Sequence, residues 1–257
     1  MALLSCGTIG AEEAVRRARA GQIQLMDATW MLPGDTPVRG TLDGTTAVLD
    51  MAAIKALPVA DRTPDVLSGI FRSSGVSNGP QIAVFDRAGL FSSPWAWWML
   101  LECGVSSLVV QGWAQEGDAT VSTGTFEPHP PKATSATLDD VLRGDAQIVD
   151  ARGPGRFSAS EPEPREGLRG GHIPGSLNIP YRSLKDGDRF KRPGTLWELF
   201  DSKGLDLRAP IITTCGSGVT ASALAFCLSR AGATDVRVYM GSWAEYGATD
   251  HPVETGT

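Results

Sequence analysis

The chain has 257 residues, 42% apolar and 20% charged, a globular composition that suits one large domain or two of ordinary size. A formal net charge of -6, spread along the sequence, gives no basic stripe for nucleic acid or for an anionic membrane surface. No apolar run reaches the roughly 18 residues of a spanning helix, and the first residues lack the basic-then-apolar pattern of a secretory signal. The four cysteines (Cys6, Cys103, Cys215, Cys227) and three histidines show neither disulfide nor metal-ligand spacing, so no metal is expected and a reducing, cytoplasmic setting is.

A charged, helical lead over Ala11–Ala20 precedes a first strand, Ile23–Asp27, and a short extended run at Ala47–Asp50. Thr63-Pro64-Asp65 reads as a helix start, with Thr63 as N-cap and Pro64 in the first turn. The apolar face of that helix is expected at Val66, Leu67, Ile70 and Phe71. A strand at Gln81–Phe85, a helix from Ser93 to Cys103 stopped by Gly104, and a strand at Ser107–Val110 complete the first half. Residues 126–136 hold three prolines, which neither continue a helix nor sit in a central strand, so they are expected to form an extended, exposed linker that includes a solvated His129.

The second half repeats the plan. Gln147–Ala151 echoes Gln24–Ala28, Ile211–Thr214 stands where Ile82–Phe85 stood, and Gly241-Ser242-Trp243 echoes Gly112-Trp113. Strands alternating with helices imply α/β architecture with parallel sheets. The expected division is 1–125, a linker 126–136, and 137–257. In this alignment Asp86 stands opposite Cys215, so the first half lacks a nucleophile.

Cys215 ends a β-branched run, and small apolar residues at helical spacing (Ala221, Leu224, Ala225, Leu228) resume soon after it. The loop between them, Cys215-Gly216-Ser217-Gly218-Val219-Thr220, carries two glycines and opens a helix, which turns N–H groups and a favourable dipole toward one point. A cysteine at the mouth of such a cradle is expected to be a thiolate nucleophile rather than a buried structural thiol.

Cys215-Gly216-Ser217-Gly218-Val219-Thr220-Ala221 resembles the active-site loop of the 3-mercaptopyruvate sulfurtransferases, a branch of the rhodanese superfamily. Thiosulfate-using relatives carry an Arg-Lys pair where this chain has Gly216 and Ser217. Cysteine phosphatases, which need an arginine at the sixth position after the nucleophile, are excluded by Ala221. The resemblance implies two rhodanese-like domains, each a parallel sheet flanked by helices, the first inactive and the second catalytic. It implies sulfur transfer from 3-mercaptopyruvate, a small 2-oxo thiol, through a Cys215 persulfide, with pyruvate released and a thiol, thioredoxin-like dithiol or cyanide as acceptor. No cofactor is implied.

Within that resemblance the catalytic residues are Cys215 and Ser217. The binding residues are Arg156 and Arg165, in a loop after a strand end where such sheets place ligands, with the backbone of Gly216, Gly218, Val219 and Thr220. A planar guanidinium suits a carboxylate, because it meets both oxygens at once. Asp150 and Arg152 are expected to brace loops, and Asp27 to support the site. Where relatives carry a His-Ile-Pro-Gly in the first half, this chain has Thr41-Leu42-Asp43-Gly44. His172, in Gly170–Gly175, is expected to shape a turn, and Trp97, Trp98, Trp197 and Phe226 to be core. Two other readings stand beside this one: a thiosulfate:cyanide sulfurtransferase, and a non-catalytic rhodanese-like binding or sulfur-carrier module.

Overall fold

The computed structural model describes residue 4 and residues 6–30, 46–113 and 123–256. Its contacts divide the chain into two compact units, one of Ser5–Ala133 with Gly187–Arg189, the other of Met1–Leu4, Thr134–Asp186 and Phe190–Thr257. They are called the first and second units below.

The first unit is built from β1 (Thr8–Gly10), α1 (Ala11–Arg19), β2 (Ile23–Asp27), β3 (Ala47–Val48), α2 (Met51–Ala56), α3 (Pro64–Ser73), β4 (Gln81–Phe85), α4 (Ser93–Glu102) and β5 (Ser107–Gln111). Its sheet runs β1-β5-β4-β2-β3 and every pairing is parallel. Parallel neighbours need crossovers, and helices supply them, so both faces of the sheet are covered and the strands read as apolar runs. Ile9, Leu25, Ala83, Phe85 and Val110 form one side of the core. On the way from β4 to β5, α4 is buried from Ser93 to Leu101, which is why its sequence has no polar face.

Sequence pattern passes over β1 and α2, both short. α2 is held by a cap, with the Asp50 carboxylate accepting from the Ala53 N–H at 2.8 Å. Thr63 caps α3 as expected, but the buried face is Leu67, Ser68 and Phe71, and Val66 is exposed. Phe126, in the stretch read as an exposed linker, is fully buried against Phe71, with ring centroids 4.9 Å apart. His129 is exposed there, yet its Nε2 lies 3.0 Å from Asn78 Nδ2 and its N–H donates to the Cys103 carbonyl. One aromatic ring and a few backbone bonds thus anchor this proline-rich piece to the first unit.

The second unit contains α5 (Leu138–Arg143), β6 (Gln147–Asp150), α6 (Pro154–Phe157), β7 (Leu177–Asn178), the short pair β8 (Lys185–Asp186) and β9 (Arg189–Phe190), which straddles the division, then α7 (Pro193–Asp201), β10 (Ile211–Thr214), α8 (Val219–Arg230), β11 (Val236–Val238) and α9 (Ser242–Tyr246). Its sheet, β11-β10-β6-β7, is parallel throughout and matches β5-β4-β2-β3 of the first unit strand for strand. All four residues of β10 are buried, as befits β-branched side chains in a central strand covered on both faces. Trp97, Trp98 and Phe226 are core, but Trp197 is 50% exposed. On α7 the inward positions are Leu196 and Phe200, one turn apart, and Trp197 falls beside that stripe. Among the described residues no helix is long and apolar enough to cross a membrane.

Candidate active site

The register of the second sheet places the end of β6 beside the end of β10: Asp150 pairs with Thr214, the residue before Cys215. Both strands therefore deliver their last residues to one edge, where open α/β sheets bind ligands. Cys215 is 3% exposed there. Its Sγ accepts from the N–H groups of Ser217 (3.4 Å) and Gly218 (3.2 Å), so two amides of the loop point at the sulfur itself. Val219 and Thr220 open α8, where N–H groups have no partner within the helix. Gly218 is obligatory in this loop: its φ is +87°, and a Cβ would stand 2.9 Å from the Met240 carbonyl oxygen.

The loop is held from behind by the start of α9. Trp243 and Ala244 donate N–H groups to the carbonyls of Cys215 (3.0 Å) and Gly216 (3.1 Å). Ser242, fully buried and with a φ of +52°, accepts from the Cys215 N–H at 3.2 Å and donates to the Tyr239 carbonyl at 2.7 Å. Left-handed backbone at a non-glycine residue costs energy and persists where its surroundings demand it. Sequence reasoning found the Gly241-Ser242-Trp243 echo but not this buttress, because its signal is a backbone angle.

Opposite the loop lies a chain of alternating charges. Arg152 is buried and spends its guanidinium on Asp150 (2.7 Å), the Gly171 carbonyl (2.8 Å) and Glu163 (2.8 Å), while stacking on Trp243 at 4.3 Å. Glu163 in turn grips Arg156 through Nε (3.1 Å) and Nη2 (2.6 Å). Asp150 and Arg152 thus link the end of β6 to Glu163 and Gly171. Arg156 sits in α6, a single helical turn begun by Pro154, where a loop without regular structure was expected. Arg165, exposed, reaches the Gly216 carbonyl at 3.4 Å.

Both guanidiniums converge on Gly216. A Cβ there would lie 3.0 Å from Arg156 Nη2, 3.4 Å from its Nη1 and 3.6 Å from Arg165 Nη1. The absent side chain is what lets two cations stand over the nucleophile loop. The residue that sequence reading missed is Glu163, whose side chain is only 2% exposed. Its spacing from Arg156 is seven residues through irregular chain, which no periodicity encodes.

Asp27 closes β2 in the first unit, where it bonds Thr29 (2.5 Å) and Arg87 (3.2 Å). Burial pushes its carboxyl above the ordinary range, against the opposing pull of the Thr29 hydrogen bonds and Arg87. Thr41 falls outside the described residues. His172 is buried and stacked on Phe157 at 3.6 Å, its Nδ1 2.8 Å from the Phe157 carbonyl, so it ties its segment to α6.

A family model described as Rhodanese-like domain matches residues 134–249. The chain is 33% identical to the 3-mercaptopyruvate sulfurtransferase of Escherichia coli K12, over 96% of this chain and 97% of the relative. It is 32% identical to the thiosulfate sulfurtransferase of Bos taurus, over 91% of this chain and 88% of that one. A crystal structure of SseA from Escherichia coli, described as showing the rhodanese fold and catalytic mechanism of 3-mercaptopyruvate sulfotransferases, superposes with a TM-score of 0.77. That likeness carries 28% identity and covers 95% of this chain and 99% of the other.

Proposed function

We infer a mechanism from one premise: the chain belongs to the 3-mercaptopyruvate sulfurtransferases of the tandem-domain rhodanese superfamily. It is a sulfurtransferase that takes a small sulfur-donor substrate and passes the sulfur to a thiol acceptor.

The Cys215 thiolate attacks the thiol sulfur of 3-mercaptopyruvate. The new S–S bond forms as the C–S bond breaks, and the electron pair of that bond leaves with pyruvate as its enolate. Cys215 is then a persulfide whose sulfurs lie at the N–H groups of Ser217 and Gly218, and the amides of Val219 and Thr220 add the positive end of α8. The enolate takes a proton, with the Ser217 hydroxyl as the donor that hands it from the substrate's sulfur. Arg156 and Arg165 hold the carboxylate and the developing enolate oxygen, which is electrostatic stabilisation where charge appears. Asp150 and Arg152 brace this pair, and Asp27 is read as a supporting residue. In the second half-reaction an acceptor thiolate attacks the outer sulfur and restores Cys215. A thioredoxin-like dithiol or cyanide fits that step equally in chemistry. A reducing, cytoplasmic compartment suits an enzyme whose nucleophile must return as a free thiol.

The observation that carries this reading is the convergence of two guanidiniums and a buried sulfur on Gly216. Mass spectrometry after incubation with 3-mercaptopyruvate tests it: one added sulfur on Cys215, matched by pyruvate release, is the expected result. An unmodified Cys215 returns the chain to the binding-module reading. Thiosulfate use is the second reading, favoured by the bovine relative and opposed by the neutral Gly216 and Ser217.

A further inference from the structure

We propose that Glu163 determines which sulfur donors the site accepts, by fixing its net charge at a value suited to a monoanion; this rests on the sulfur-transfer reading above. Around the Gly216 loop stand three guanidiniums, Arg152, Arg156 and Arg165, and two buried carboxylates, Asp150 and Glu163. These five side chains sum to one positive charge, which the attacking Cys215 thiolate brings to zero; without Glu163 each figure would be one higher. Glu161 packs against Gly155 but is exposed, where water and salt screen it. Glu163 is not screened, because its side chain is 2% exposed and its oxygens are taken by Arg152 and Arg156.

Geometry gives Glu163 a second effect on the same choice. A guanidinium has five N–H donors, and Glu163 engages Arg156 through Nε and Nη2. The edge left over is the one bearing Nη1 and the rest of Nη2, and those are the two atoms nearest Gly216. Arg156 therefore presents one planar, two-pronged face to the loop, the complement of a carboxylate. A compact dianion such as thiosulfate would need more positive charge near the attacked sulfur than this arrangement leaves.

The test compares donors in the full-length protein. In Glu163→Gln the ratio of kcat/KM for thiosulfate to that for 3-mercaptopyruvate should rise about tenfold, since one charge a few ångströms from the substrate is removed. The gain should shrink as salt is added. Glu163→Asp keeps the charge, so its ratio should stay near that of the parent even where both rates fall. An unchanged ratio in Glu163→Gln, with both donors slowed alike, would reduce Glu163 to a brace and overturn the proposal. Should Glu163→Gln fail to fold, the parent protein still decides: pyruvate, a monoanion, should inhibit more tightly than oxalate, a dianion of similar size, and the reverse order defeats the idea. If the parent forms no persulfide from 3-mercaptopyruvate, the sulfur-transfer reading itself fails, a result separate from either of these.

Discussion

The two units solve the same electrostatic problem in opposite ways. Each ends a central strand on a loop that opens a helix, β4 into α4 and β10 into α8, and each loop turns amides inward. In the first unit the point where they meet is filled by the chain's own Asp86. One oxygen accepts from the N–H groups of Ala88 (2.9 Å) and Leu90 (3.0 Å), the other from those of Ser92 (3.1 Å) and Ser93 (2.7 Å). In the second unit that point holds Cys215, with two amides on its sulfur. A loop whose donors are satisfied by a built-in carboxylate has no use for an external anion, whereas a loop that leaves them to a sulfur can accept one. What the two sets of amides hold thus differs at a single aligned position, Asp86 in one unit and Cys215 in the other.

The sharpest way to break the comparison is Cys215→Ser. The hydroxyl fits the loop but ionises far less and forms no persulfide, so sulfur transfer should fall roughly a thousandfold or more. Pyruvate release together with urea unfolding checks it. Substantial activity in a folded variant would remove Cys215 as nucleophile.

Asp86→Ala attacks the other loop and should appear in stability. It strands three buried N–H donors and one half-buried one, a loss of about 3 kcal/mol. The urea midpoint should drop clearly, and Asp86→Asn, which keeps acceptor capacity on one oxygen, should recover part of it. Equal midpoints in parent and Asp86→Ala would mean that water serves those amides as well as the carboxylate does.

Arg165→Ala removes a cation that reaches the carbonyl of Gly216. Loss of one charge-assisted contact is worth about 1.5–3 kcal/mol, so kcat/KM for 3-mercaptopyruvate should fall 10- to 150-fold. Arg156→Ala should fall at least as far, because it also leaves Glu163 with one cationic partner fewer. Parent-like kinetics in both would return the two arginines to a structural role.

The smallest effect concerns how the helices before β2 and β6 begin. α1 starts at Gly10 with no side-chain cap, whereas α5 has a capping box between Thr137 and Asp140. Replacing Asp140 with Ala should cost about 1 kcal/mol. Hydrogen bonds from Thr137, aided by Arg143 and Arg237, hold the Asp140 carboxyl below its ordinary 3.8. A lowered folded value means that the stabilisation is present above 3.8 and fades as pH falls through that range. The gap between parent and variant should therefore narrow in acid, and a gap constant with pH would assign the effect to helix propensity alone.

Much of this was legible in the chain because it is written in local pattern. The alternation of apolar runs with helical stretches, the near-constant offset between halves and the Cys-Gly-Ser-Gly loop mark the architecture and the nucleophile. In the stretch 126–136 the three prolines do mark an irregular segment, exposed or half-buried over residues 127–132, but they report backbone limits only and gave no sign that Phe126 is buried. Glu163 was hidden for a different reason. Its partners Arg152 and Arg156 are brought to it by an irregular loop, and tertiary charge pairing leaves no period to detect. The strained φ of Ser242 is likewise a property of closure between β11 and α9, carried by no residue type.

The crowding at Gly216 bears on how such a site changes over generations. Its backbone is not in the left-handed region, so nothing in the chain's own conformation bars a larger residue there. What crowds it is a neighbour, the guanidinium of Arg156, 3.0 Å from where the first side-chain carbon would go, and as the end of a flexible side chain that group has only to give by a few tenths of an ångström. Positions 156 and 216 therefore share one space. An arginine arriving at 216, as in the thiosulfate-type loop, makes the Arg156 side chain swing aside, so a change at one position resets the room, and the orientation of the cation, at the other.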